Sequence, residues 1–166
     1  MTPQNNSLNR LSDTQIELHH IKLELENGRT QHFRSFVDQY YCYKHGYINR
    51  SGKAKWDDLF WKEVVSVGAT ATSDKSEVVK EHVVPLKVIT TKLLELNNGN
   101  LISIEAIAAV LDKYIHFATI TKLEDQLLRN AKLNSKMPDE YYDPDSLLYG
   151  NVFARYKKVG IEYTIL

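Results

Sequence analysis

A proline set inside an apolar-periodic run constrains this chain more than any other feature. The run is 73–98, SDKSEVVKEHVVPLKVITTKLLELNN, with Pro85 near its middle. Val78, Val79, Val83, Leu86, Ile89, Leu93 and Leu96 recur at helical spacing, which predicts a core helix or helix pair against which the other elements pack. Proline has no N–H and its ring collides with the preceding turn. The run should therefore break or kink at Val84, with a second helix from Pro85 to about Asn97. Glu81 and His82 then stand at the break, where freed backbone groups and irregular side-chain placement would concentrate any chemistry. The alternative for the pair is structural, with His82 a satisfied interior histidine and Glu81 a solvated acid.

The flanking segments read mainly as helices. Residues 1–10 are rich in Asn and Gln and are expected to fray, leaving 11–166 as one globular domain. Ser12 and Gln15 have capping-box spacing ahead of Ile16, Leu18, Ile21, Leu23 and Leu25, so a helix should run to Gly28. A hairpin is the rival, because Ile21, Leu23 and Leu25 alternate and Asn27-Gly28 is a favoured two-residue turn. Phe33, Phe36, Val37, Tyr40 and Tyr41 predict a helix that stops at Gly46. After a loop from Tyr47 to Lys55, the residues Trp56, Leu59, Phe60, Val64 and Val67 suggest a short helix closed by Gly68.

In the second half, Asn97-Asn98-Gly99-Asn100 is a turn, and Ser103 to Ile115 a helix. His116 to Ile120 reads as a strand, and Thr121 with Glu124 opens another helix. Asp143 before Pro144 looks like the start of a last helix through Leu148, Val152, Phe153 and Tyr156, ending at Gly160. Ile161, Tyr163 and Ile165 alternate as a terminal strand that could pair with His116 to Ile120. The expected fold is mainly α within the α+β class: about six or seven helices around a central Pro-kinked helix pair, with a sheet of two or three strands.

Charge and composition narrow the function. Lys plus Arg equals Asp plus Glu at 21 each, so the formal charge is zero. That balance argues against a nucleic-acid coat or a membrane-surface protein, which would carry a basic excess. The single Cys42 excludes an intrachain disulfide and fits a reducing compartment. No signal-peptide core and no apolar run of membrane-spanning length is present, so a cytoplasmic location is expected. The six histidines, His19, His20, His32, His45, His82 and His116, never fall at i, i+4, and no metal site is expected. No phosphate loop, nucleophile elbow or Cys-x-x-Cys motif occurs, so no cofactor is expected. Cys42 and His45 are the one nucleophile–base pairing that spacing allows, and nothing near them supplies an oxyanion site.

Glu81-His82-Val83-Val84-Pro85 resembles the opening motif of the His-Asn-His endonucleases, over five residues of 166. The resemblance implies His82 as a general base on water, with a later Asn and His binding a divalent metal. This chain departs from the family after Pro85: its residues there are helical in pattern, and neither Asn97 to Asn100 nor His116 stands where the family's later elements would.

Two aromatic, charged clusters remain. In the first, Tyr47, Arg50, Lys53 and Lys55 interleave tyrosine with positive charge, a mixture suited to stacking bases and holding phosphates. The second, Asp139, Glu140, Tyr141, Tyr142, Asp143 and Asp145, is acidic and suits a protein-binding edge: tyrosine offers contact area at low entropic cost and carboxylates steer a basic partner. With no catalytic constellation and ten tyrosines, the favoured expectation is a non-enzymatic protein-binding module. Its concrete form is an immunity or antitoxin protein of a bacterial kind, blocking a toxin or nuclease domain by direct contact. A metal-dependent nuclease using His82 and Glu81 is the alternative, and a nucleic-acid-binding regulator the second.

Overall fold

A computed structural model of the chain describes residues 10–100 and 102–166. The segment expected to fray, 1–10, lies outside the described residues but for Arg10. Among the described residues, seven α-helices and a four-stranded mixed sheet make an α+β fold. The helices are α1 (Asp13–Glu26), α2 (Phe33–His45), α3 (Val67–Thr70), α4 (Leu86–Asn98), α5 (Ile104–Tyr114), α6 (Lys122–Asn130) and α7 (Ala154–Val159). The strands are β1 (Val64–Ser66), β2 (Val78–His82), β3 (Phe117–Thr121) and β4 (Tyr163–Ile165), in the spatial order β2-β3-β1-β4.

Local signals define several helix ends. The Ser12 side chain accepts from Gln15 N–H at 3.2 Å while Gln15 reaches back to Ser12 N–H at 3.0 Å, so α1 opens on a full capping box and the hairpin alternative is set aside. Gly46 ends α2 in the left-handed conformation, φ +74°. Ser103 caps α5, and Thr121 with Glu124 forms the capping box of α6. Helices α1, α2, α4 and α5 pack together over the main core, where Ile21, Leu25, Val37, Ile89, Leu93 and Leu111 have no exposed surface. On the other side of the sheet, α6 and α7 cover Val64, Ala118 and Ile120 with Leu128 and Tyr156.

The central helix pair is not what forms. Residues 78–82 are the edge strand β2, paired antiparallel to β3 with Val78 opposite Thr121 and His82 opposite Phe117. Pro85 does end this segment, but it lies between a strand and a helix, at the N-cap of α4, not in a kinked helix. Val78, Val79, Val83 and Val84 are β-branched, stiff at χ1 and suited to a pleat. Their spacing also satisfies a helix, and the choice falls to β3, whose backbone groups need a partner.

Three further expectations change. Trp56–Leu59 is a single 3-10 turn, after which Trp61 takes a left-handed φ of +54° and the chain enters β1. That conformation is held by Trp61 N–H to Thr119 Oγ1 at 2.7 Å and by its indole N–H to Ala69 O at 3.0 Å. Gly68 therefore closes no helix. It sits in α3 where an added Cβ would lie 2.9 Å from Glu124 Oε1, so its requirement is close approach to the cap of α6. The terminal strand β4 pairs antiparallel with β1, not with β3, because β3 already has β2 on one side and β1, parallel to it, on the other. Lastly, Asp143 and Pro144 open no helix, and α7 begins only at Ala154.

Candidate functional site

Alternation along β2 decides what Glu81 and His82 can do. Successive strand residues face opposite sides of a sheet. Glu81 faces α7, where Oε1 accepts from Arg155 Nη2 at 2.5 Å and Oε2 from the Tyr156 hydroxyl at 2.6 Å. His82 faces α2, where Nε2 lies 3.0 Å from Asp38 Oδ1 and the ring packs against Phe117 with centroids 4.5 Å apart. The pair considered for nuclease chemistry is thus split across the sheet, and both Glu81 oxygens are occupied. Among the described residues no group of three or more His, Cys, Asp or Glu is placed to hold a metal ion. Cys42 is buried, and that burial pushes its thiol up to about 11, away from the thiolate a nucleophile needs.

The basic cluster does not assemble into one surface. Tyr47 packs on the main core, stacked on Tyr41 at 6.2 Å, and Lys55 pairs with Asp58 at 3.0 Å. Asn49 Oδ1 accepts from the N–H groups of Ser51 and Lys53 at 2.9 and 3.0 Å, folding 49–53 into a tight turn. Arg50 and Lys53 remain exposed.

The acidic cluster divides as well, and it gains members. Tyr141 is buried, 5% exposed, and belongs to the main core, while Glu140 pairs with Lys158. Asp139, Asp143 and Asp145 are exposed. The segment after them is a closed loop. Gly150, at a positive φ of +63°, donates its N–H to Tyr141 O at 2.9 Å, so the loop ends meet. Inside it, Asp143 Oδ1 accepts from Asp145 N–H, Asp143 O from Ser146 N–H, and Ser146 O from Tyr149 N–H, at 3.0, 3.0 and 3.1 Å. Leu148 turns inward to the main core. Outward stand Tyr142, Leu147 and Tyr149, exposed by 54%, 99% and 57%. Leu147 and Tyr149 escape a reading that assigns 144–160 to one helix, because that helix takes Leu148, Val152, Phe153 and Tyr156 as its inward face and leaves their neighbours as ordinary outward positions. The signal was there in Pro144 and Gly150, which bracket an apolar triplet too short to fold on itself.

One further polar cluster ties the helical layer to the sheet. Glu63, just before β1, accepts from His116 Nδ1 at 2.7 Å, from Phe117 N–H at 3.0 Å and from the Tyr41 hydroxyl. His116 Nε2 lies 3.2 Å from Lys113 O. Both ring nitrogens therefore face acceptors, an arrangement that favours the imidazolium over the neutral ring. The hydrogen bond to Glu63 holds His116 above its ordinary value of 6.5, against the effect of burial. Burial would raise Glu63, but the bonds from His116, Tyr41 and Phe117 outweigh it and hold the carboxyl below 4.5. His45, whose ring lies against Tyr41, is held below its ordinary value, chiefly by burial.

The signs give a testable pH profile. The His116 contribution is complete below 6.5 and is lost as pH rises through its raised folded value, whereas that of Glu63 is complete above 4.5 and is lost as pH falls through its lowered one. His45 acts opposite to His116, its contribution fading as pH falls through 6.5. Urea midpoints measured against pH should fall above pH 6.5 more in wild type than in His116→Gln, in which the remaining His45 makes the profile flat or rising. Parallel profiles would place the alkaline limb elsewhere.

No described helix is long and apolar enough to cross a membrane. Comparison of the chain with protein-family models, with curated proteins and with solved structures finds no match.

Proposed function

We propose that this chain is a non-enzymatic protein-binding module whose loop 141–150 docks on a basic surface of another protein, in the manner of an immunity or antitoxin protein occluding a toxic nuclease domain. The observation that carries the reading is Leu147, 99% exposed on a loop whose own backbone is hydrogen-bonded and whose ends are pinned. An exposed leucine flanked by two half-exposed tyrosines marks an interaction site more than a solvated loop. Because the loop is already ordered, little conformational entropy is lost on docking. Asp139, Asp143 and Asp145, exposed just before and within the loop, give it negative charge complementary to a surface that binds phosphates. Glu140, matched by Lys158, contributes little to that field.

The test is capture from host lysate with wild type and with a Tyr142→Ala, Leu147→Ala, Tyr149→Ala variant. Wild type should retain one basic protein at stoichiometric level and inhibit its activity. The triple variant should bind it at least 30-fold more weakly, since truncating central anchors costs on the order of 2 kcal/mol or more. Charge reversal of Asp139, Asp143 and Asp145 should instead slow association and weaken its salt dependence. Equal capture by wild type and the triple variant would remove the loop from the interface.

A further inference from the structure

A cleft among the described residues lies far in sequence from the docking loop and has a different chemistry. One wall is Gln31, just before α2, with a face of α2 from Arg34 through Asp38 to Cys42, and the other is formed by Lys53, Ala54 and Trp56. Its volume is about 800 Å³, within the range of small-molecule sites. A second cavity of about 380 Å³, bordered by His82 and Arg129, shares Arg34 with the first. The Asp38–His82 hydrogen bond, at 3.0 Å, joins a residue of one cavity to a residue of the other.

Partners sort the charges around this cleft. Arg129 is taken by Asp125 at 2.8 Å, and Lys80 by Trp56 O at 2.8 Å and Asp57 at 3.4 Å. Arg34 and Lys53, on opposite walls, have no ion-pair partner among the described residues. Arg34 and Asp38 are one helical turn apart, which puts their side chains on the same stripe of α2. Asp38 uses Oδ1 for His82, and its Oδ2 has no donor among the described residues. Among the described residues the cleft thus offers two unpaired cations, one from α2 and one from the 53–56 segment, a carboxylate oxygen without a donor one turn from Arg34, and apolar lining at Cys42, Ala54 and Trp56.

We infer that this cleft binds a nucleoside monophosphate. The guanidinium fork of Arg34 and the ammonium of Lys53 hold the phosphate monoester from two sides. Asp38 Oδ2 accepts from a ribose hydroxyl, as a carboxylate does at dinucleotide sites. The base lies along the apolar wall. Two free cations are too few for a nucleic-acid polymer, whose affinity is built from many phosphate contacts.

The site is tested by titrating the ¹⁵N-labelled full chain with AMP, GMP, CMP and UMP, and with adenosine and inorganic phosphate as controls. At least one monophosphate should bind saturably, shifting amides of α2 and of residues 53–56, while adenosine and phosphate alone bind on the order of tenfold more weakly. Arg34→Gln and Lys53→Gln should each weaken that binding on the order of tenfold. Both side chains are exposed, so both variants should keep the wild-type melting curve, and if one does not fold the other decides. No saturable binding at millimolar concentration overturns the inference. So does binding that the variants leave unchanged, inorganic phosphate binding as tightly as the nucleotides, or a single-stranded oligonucleotide binding more tightly than any mononucleotide. None of these outcomes bears on the docking loop.

Discussion

Replacing Arg155 by Ala should cost about 3 to 5 kcal/mol of folding stability, the larger of the two stability effects expected for this chain. The side chain is fully buried. From α7 it donates Nε to Val83 O at 3.1 Å, Nη1 to Leu133 O at 2.8 Å, and Nη2 to Glu81 Oε1 at 2.5 Å and to the carbonyls of Val83 and His82. One guanidinium thus joins the end of β2, the link into α4 and the loop after α6. Its removal leaves Glu81 charged in a mostly buried site and strips donors from buried carbonyls, which is why the loss exceeds that of an ordinary hydrogen bond. Arg155→Lys should not restore stability, because a point charge cannot span acceptors on three segments. Adding Glu81→Gln to Arg155→Ala should recover part of the loss by removing the unpaired charge while leaving an acceptor for the Tyr156 hydroxyl. Urea denaturation measures all three, and a loss under about 1 kcal/mol for Arg155→Ala would show that the three segments hold together without it.

The second effect comes from one substitution made at two leucines. Leu111→Ala on α5 should cost about 2 to 5 kcal/mol, through lost transfer energy and the cavity left in the main core, to which Ile21, Leu25 and Ile89 also belong. Leu147→Ala should cost under about 0.5 kcal/mol, since a fully exposed side chain gives up no burial on folding. The contrast bears on function. A leucine that can be removed without cost to the fold, yet is held out on an ordered loop, is free to serve a partner. If Leu147→Ala lost as much stability as Leu111→Ala, its side chain would be part of the fold and the docking reading would lose its main support.

Several helix termini were legible because each is decided locally: by residues three apart, Ser12 with Gln15, Ser103 with Ala106 and Thr121 with Glu124, or by a left-handed glycine, at 46 and 160. β3 was legible from its apolar, β-branched run, and the break at Pro85 from the missing N–H. The candidate sites were read less well. Tyr141 and Tyr142 are neighbours of the same type, yet one lies in the core and the other points out, a difference that depends on which way the chain turns at Asp143. Arg34 and Lys53 became a pair only when α2 and the loop before Trp56 formed the two walls of one cleft.

By itself the sequence determined the α+β class, the spans of α5 and α6, the end of α2 at Gly46, and the break of any helix at Pro85, all of which rest on interactions within a turn or two of chain. Only the tertiary structure decided that 78–82 is a strand, that β4 joins β1, and that Glu81 turns toward Arg155 while His82 turns toward Asp38. The reason is that a five-residue segment opening on two valines satisfies helix and strand alike until a neighbour with unpaired backbone groups selects between them, and that neighbour, β3, lies about 40 residues away in the chain.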